Sequence, residues 1–157
     1  MSKSYQLIDA GCEFWFNDND RMRTPFPKRI QEELKERTTK EFMRWVRDFS
    51  RADRETVQDE ELVSMFEMFL FSEALKIVEA EEDSGDLMIT INYPLLPRVG
   101  DTMSDDTHKS STIVRRELAE RSDKDENGDD KKSLWLTLHL TEEGSGEEWT
   151  TSSELPT

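Results

Sequence analysis

Ser133-Leu134-Trp135-Leu136-Thr137-Leu138-His139-Leu140-Thr141 alternates leucine with polar or aromatic residues. A period of two puts the four leucines on one face of a strand and Trp135, Thr137, His139 and Thr141 on the other. Upstream, Asn127-Gly128 is the favoured sequence of a two-residue hairpin turn. Centred on that turn, Lys124 opposes Lys131 and Ala119 opposes Leu136, so 112–121 becomes the partner strand. Ile113, Glu117, Leu118 and Arg121 also fit a helical face, which leaves helix as the alternative for 112–121. Beyond Thr141, Glu142-Glu143-Gly144-Ser145-Gly146-Glu147-Glu148 has the composition of an acidic flexible tail, with only Trp149 and Leu155 to anchor it.

The preceding half reads as mainly helical. Proline suits a first helical turn, so Thr24-Pro25-Phe26-Pro27 opens a helix. Ile30, Leu34, Phe42, Trp45 and Phe49 form its apolar stripe, with Thr38 in the intervening place. Thr38 with Glu41 has the form of a capping box, so a break into two helices there is the alternative. On another side, Arg37, Lys40, Arg44, Arg47, Arg51 and Arg54 follow at steps of three and four, which aligns six cations over ~25 Å.

A second helix follows, with Thr56 and Asp59 at its start and its end near residue 81. Leu62, Val63, Met65, Phe66, Met68, Phe69, Leu70, Phe71, Ala74, Leu75, Ile77 and Val78 cover most of its circumference, which suggests burial on several sides, a homodimer interface among them. Gly85 reads as its stop. Residues 5–10 and 87–93 read as short strands, and 99–111 as a long mobile loop. Of Phe14-Trp15-Phe16, two are expected in the core and the third under the adjacent loop. The expected fold is therefore α+β: two long helices packed on a small, mainly antiparallel sheet with a C-terminal β-hairpin. Residues 1–141 form a single domain in this reading and 142–157 the tail.

Of 157 residues, 34% are apolar and 36% charged, against about 45–50% and 25% in ordinary domains. Net charge is −15. Residues 21–54 hold eleven Lys/Arg against six Asp/Glu, a local +5 that leaves −20 for the remainder. A surface this acidic disfavours non-specific binding to nucleic acid or an anionic membrane. The most apolar run, 62–78, is interrupted by Ser64, Glu67, Ser72, Glu73 and Lys76, so no membrane span is expected. Residues 1–5 lack a signal-peptide core, and the expected location is cytoplasmic.

Four groups of residues invite a chemical reading. Asp123-Lys124-Asp125-Glu126-Asn127-Gly128-Asp129 opens like a calcium loop, but its twelfth position is Leu134 where a bidentate Glu belongs, so a hydrated turn is preferred. Asp101, Asp105, Asp106 and His108 suggest a metal-dependent enzyme only if something rigid gathers them. Cys12 is the single cysteine and has few histidines to pair with. No phosphate loop, nucleophile elbow or H-E-x-x-H occurs, and neither a metal nor a cofactor is assigned. Enzyme activity is thus unsupported.

The basic stripe remains. Its leading reading is a non-enzymatic interaction module, of adaptor, regulator or inhibitor type, that binds an acidic protein surface or a second copy of this chain. Nucleic-acid binding through the same cations ranks lower because the −20 elsewhere repels phosphates. The bland alternative is a solvated face, partly neutralised by Glu33, Glu36, Glu41 and Asp48.

Overall fold

A computed structural model describes residues 2–49 and 56–156. The chain divides into two units, Met1–Leu95 and Leu96–Thr157. Each has its own hydrophobic core. The expected α+β class holds, with the helices gathered in the first unit and the sheet in the second, where a single domain was expected.

The first unit contains α1 (Ser2–Phe16), α2 (Lys28–Arg47), α3 (Asp59–Glu79) and α4 (Gly85–Asn92). Two are long, as expected; α1 and α4 replace the strands read at 5–10 and 87–93. In α1, Ile8 and Cys12 stand four residues apart and are both buried, a helical spacing that the short window 5–10 did not include. In α4, Ile89-Thr90-Ile91 favours a strand, but burial of Thr90 and Ile91 in the helical core overrides that preference.

Gly85 opens α4 and does not terminate α3; the chain turns before it at Asp83, with φ 55°. α3 begins after Gln58, not Thr56, with Asp59, Glu60 and Glu61 in its first turn. Their charges complement the positive end of the helix dipole.

α2 runs unbroken through Thr38. A side chain buried among apolar neighbours cannot cap a helix start, and Ile30, Leu34, Thr38, Phe42 and Met43 all face the core. Opposite them in that core lie Phe66, Leu70, Ala74, Ile77 and Val78 of α3. α1 also meets α3, where a Cβ added to Gly11 would stand 2.4 Å from Phe66 Cε1. Only a glycine leaves room for that ring. Trp15 and Phe16 pack on Phe71 and Phe26 at centroid distances of 4.9 and 5.9 Å. Phe14 stays half exposed, edge-on to Trp15.

The second unit is an antiparallel sheet in the order β1 (Thr102–Met103), β2 (Ser111–Lys124), β3 (Asp130–Glu142) and β4 (Glu148–Glu154). β2 is the expected hairpin partner, but it pairs one residue out of the expected register. Leu118, not Ala119, opposes Leu136, and Asp130 opposes Lys124. The cause is the turn. Asp125 and Asp129 close a three-residue loop, Asp125 Oδ1 accepts the Asn127 and Asp129 N–H groups, and Gly128 takes φ 81°. A type I turn ending in a left-handed glycine is the usual way to build that loop, and it shifts the pairing from that of a two-residue turn.

Leu136, Leu138 and Leu140 are buried with Ile113, and Met103, Leu118, Trp149 and Leu155 pack against them. The segment read as a tail contains β4, paired with β3 from Glu148 to Glu154. Its Gly144 and Gly146 have positive φ in the connecting turn, and Trp149 Nε1 donates to Ser111 Oγ at 2.9 Å. Glycine and glutamate here make a turn, not a disordered end. Likewise 99–111 holds β1 and is tied to β2 by Gly100 N–H to Ile113 C=O.

Candidate functional site

α2 carries the basic stripe. Burial of its Ile30, Leu34, Thr38 and Phe42 face fixes the helix rotation, so residues 37, 40, 44 and 47 fall on the outer surface. Lys40, Arg44 and Arg47 are exposed and Arg37 is half-buried. From Arg37 to Arg47 the four span ten helical steps, or ~15 Å at the helical rise. Arg51 and Arg54 lie outside the described residues.

Neutralisation along this ridge is uneven. Arg44 Nη1 contacts both Glu41 carboxylate oxygens at 3.1 and 3.2 Å. Arg37 Nε stands 3.7 Å from Glu33 Oε1, a loose ion pair. Exposed pairs of this kind contribute about 0–1 kcal/mol and are readily exchanged for a better partner. Among the described residues, Lys40 and Arg47 have no carboxylate partner. Cations elsewhere on the same helix differ: Lys35 pairs with Asp9 at 2.9 Å, and Arg29 grips Glu81 through two bonds of 3.0 and 2.8 Å. Hydrogen bonding to Asp9 raises the Lys35 pKa. Lys35 and Arg29 serve the helical fold, whereas Lys40 and Arg47 face solvent.

The other sequence candidates take structural positions. Cys12 is buried, and burial pushes its thiol up to about 11, which disfavours the nucleophilic thiolate. Asp101 Oδ2 accepts the Arg98 N–H, and Asp105 Oδ1 accepts the backbone N–H groups of Thr107 and His108. Those backbone bonds, His108 first, hold the Asp105 carboxyl below the usual range. His108 stacks flat on Trp149 with centroids 4.3 Å apart. Among the described residues no three His, Cys, Asp or Glu side chains are gathered as a metal would require. Asp125 is likewise engaged in its turn.

One cluster was not visible from the sequence. His139 Nε2 lies 2.7 Å from Glu117 Oε1, with Arg115 Nη2 3.4 and 3.2 Å from the two ring nitrogens. The expected register placed Arg116 opposite His139; the actual register places Arg115 there. The D-x-N-G form of 125–128 was the available signal, since an Asp two residues before Asn favours the longer loop. The bond to His139 lowers the Glu117 pKa. This cluster lies on the polar sheet face, where Arg121 also covers the Trp135 ring at 4.2 Å.

Comparison with protein-family models, curated proteins and solved structures returned no match for this chain. Among the described residues, no helix is long and apolar enough to cross a membrane.

Proposed function

We propose that this protein is a non-enzymatic interaction module of the cytoplasm, an adaptor, regulator or inhibitor, whose α2 ridge binds an acidic protein surface. Arg37, Lys40, Arg44 and Arg47 are the binding residues, and Arg51 and Arg54 extend the series in sequence. One observation carries the reading: Lys40 and Arg47 are exposed without a carboxylate partner, among the described residues, in a chain with fifteen more acidic than basic groups. Carboxylates are abundant in this chain, yet none among the described residues pairs with these two cations. A partner carboxylate gains an arginine fork at Arg47 and a point charge at Lys40. The partner class includes a second copy of this chain, whose residues outside 21–54 carry −20.

Fluorescence anisotropy with labelled polyglutamate, and separately with duplex DNA, tests the assignment. The expected result is salt-sensitive polyglutamate binding that Lys40→Glu/Arg47→Glu reduces about tenfold or more, equivalent to about 1.4 kcal/mol. DNA binding at low salt with no polyglutamate binding transfers the ridge to nucleic acid. Light scattering across a concentration series reads the second-copy form directly.

A further inference from the structure

β4 is the outer strand of its sheet and, among the described residues, pairs only with β3. Two backbone bonds, Leu155 N–H to Leu134 C=O and Glu142 N–H to Glu147 C=O, fix the parity of that ladder. Odd-numbered residues of β4 bond to β3, so the N–H and C=O of Thr150 and Ser152 point outward along the edge. Glu148, Thr150, Ser152 and Glu154 are all exposed. Natural edges are usually guarded by lysine, proline or a bulge. Trp149-Thr150-Thr151-Ser152-Ser153 has none of these. The strand is also held firmly: Thr137 Oγ1 and Ser152 Oγ are 2.8 Å apart, and Trp149 is tied to Ser111.

The only charges of β4 are Glu148 and Glu154, at its two ends and on the same face. We propose that this edge accepts an extended strand of a partner protein that carries Lys or Arg at two positions six residues apart, opposite Glu148 and Glu154, with uncharged β-forming residues between them. Main-chain pairing to Thr150 and Ser152 supplies the attachment, and the terminal carboxylates set register and choice. A second copy fits poorly. A two-fold axis at Thr151 would set Glu148 against Glu154 at both ends, and like charges directly opposite destabilise a strand pair. This edge belongs to the second unit and the α2 ridge to the first, and the two select opposite charges.

The test uses the full ¹⁵N-labelled chain and the end-capped peptide Lys-Val-Thr-Val-Thr-Val-Lys, with a Glu-flanked version as control. NMR titration should shift amide signals of 148–154, with the Glu-flanked peptide weaker by about tenfold or more. Thr150→Pro removes an outward N–H but no bond to β3, and should weaken the Lys-flanked peptide about tenfold. Glu148→Lys/Glu154→Lys, a surface change independent of the proline, should invert the peptide preference. Equal affinity for both peptides overturns the inference, as does an unchanged titration in folded Thr150→Pro. Absence of shifts at about 1 mM peptide, a concentration that detects even weak association, also overturns it. Concentration-dependent β4 shifts without peptide would name a second copy as the occupant and overturn the assignment.

Discussion

Gly11→Ala sets two effects of opposite sign against each other. In an isolated helix the change stabilises by about 1 kcal/mol, because alanine loses less backbone entropy. Here the new methyl carbon would lie 2.4, 2.9 and 3.0 Å from Phe66 Cε1, Cζ and Cδ1. Carbon atoms prefer about 3.5–4.0 Å, so the ring or α1 must move by about 1 Å. Phe66 is 1% exposed and stands within 6.1 Å of Phe42, centroid to centroid, so the ring has little space to retreat. Overpacking of that kind costs about 1–3 kcal/mol. The clash, being well inside contact distance, belongs at the upper end; the net is a destabilisation of about 1–2 kcal/mol. Urea denaturation at constant m-value measures it. Phe66→Leu in the same chain should relieve the contact, with a favourable coupling of about 1 kcal/mol in the double-mutant cycle. Stabilisation by Gly11→Ala, or strict additivity with Phe66→Leu, would refute the α1–α3 contact.

Two further predictions concern the helical core. The Cys12 thiol is raised from 9.0 to about 11, so the folded state retains a proton that the unfolded chain releases. Stability from this group is complete below about pH 9 and falls by about 2–3 kcal/mol as pH rises to about 11. Urea titrations across that window should show a decline in the wild type that Cys12→Ala lacks; equal declines contradict the assignment. Thr38 is fully buried, and its Oγ1 has no hydrogen-bond partner among the described residues. Thr38→Val should therefore stabilise by about 1–2 kcal/mol, read as a higher Tm, because it removes an unsatisfied hydroxyl. A lower Tm counts against that burial.

The parts legible in the sequence were those with long, regular periods. α2 and α3 announced themselves through stripes sustained over about five turns, and β3 through the alternation of Leu134 to Leu140. Short windows failed, because five or six residues do not separate periods of 2 and 3.6. α1 was cut short at Gly11, a residue selected by the Phe66 ring and not by chain termination. β4 was hidden by composition: glycine and glutamate marked the turn, and pairing with β3 ordered the Thr/Ser run behind it. The Arg115–His139–Glu117 cluster depended on a one-residue register, which a single Asp side chain decided. For the ridge, spacing identified the cations, while the division into Lys35 and Arg29, which are paired, and Lys40 and Arg47, which have no carboxylate partner among the described residues, required the positions of Asp9 on α1 and Glu81 in the turn after α3.

That division supplies the most direct test of the central claim. Lys40→Gln/Arg47→Gln and Arg29→Gln/Lys35→Gln remove the same charge from the same helix, one pair from the ridge and one from internal ion pairs. Polyglutamate affinity of the two folded variants, compared by anisotropy at about 0.15 M salt, where the screening length is about 8 Å, separates local recognition from total charge. The ridge account predicts about a tenfold loss for the first variant and less than about threefold for the second. Equal losses, or no loss in the first, would contradict it.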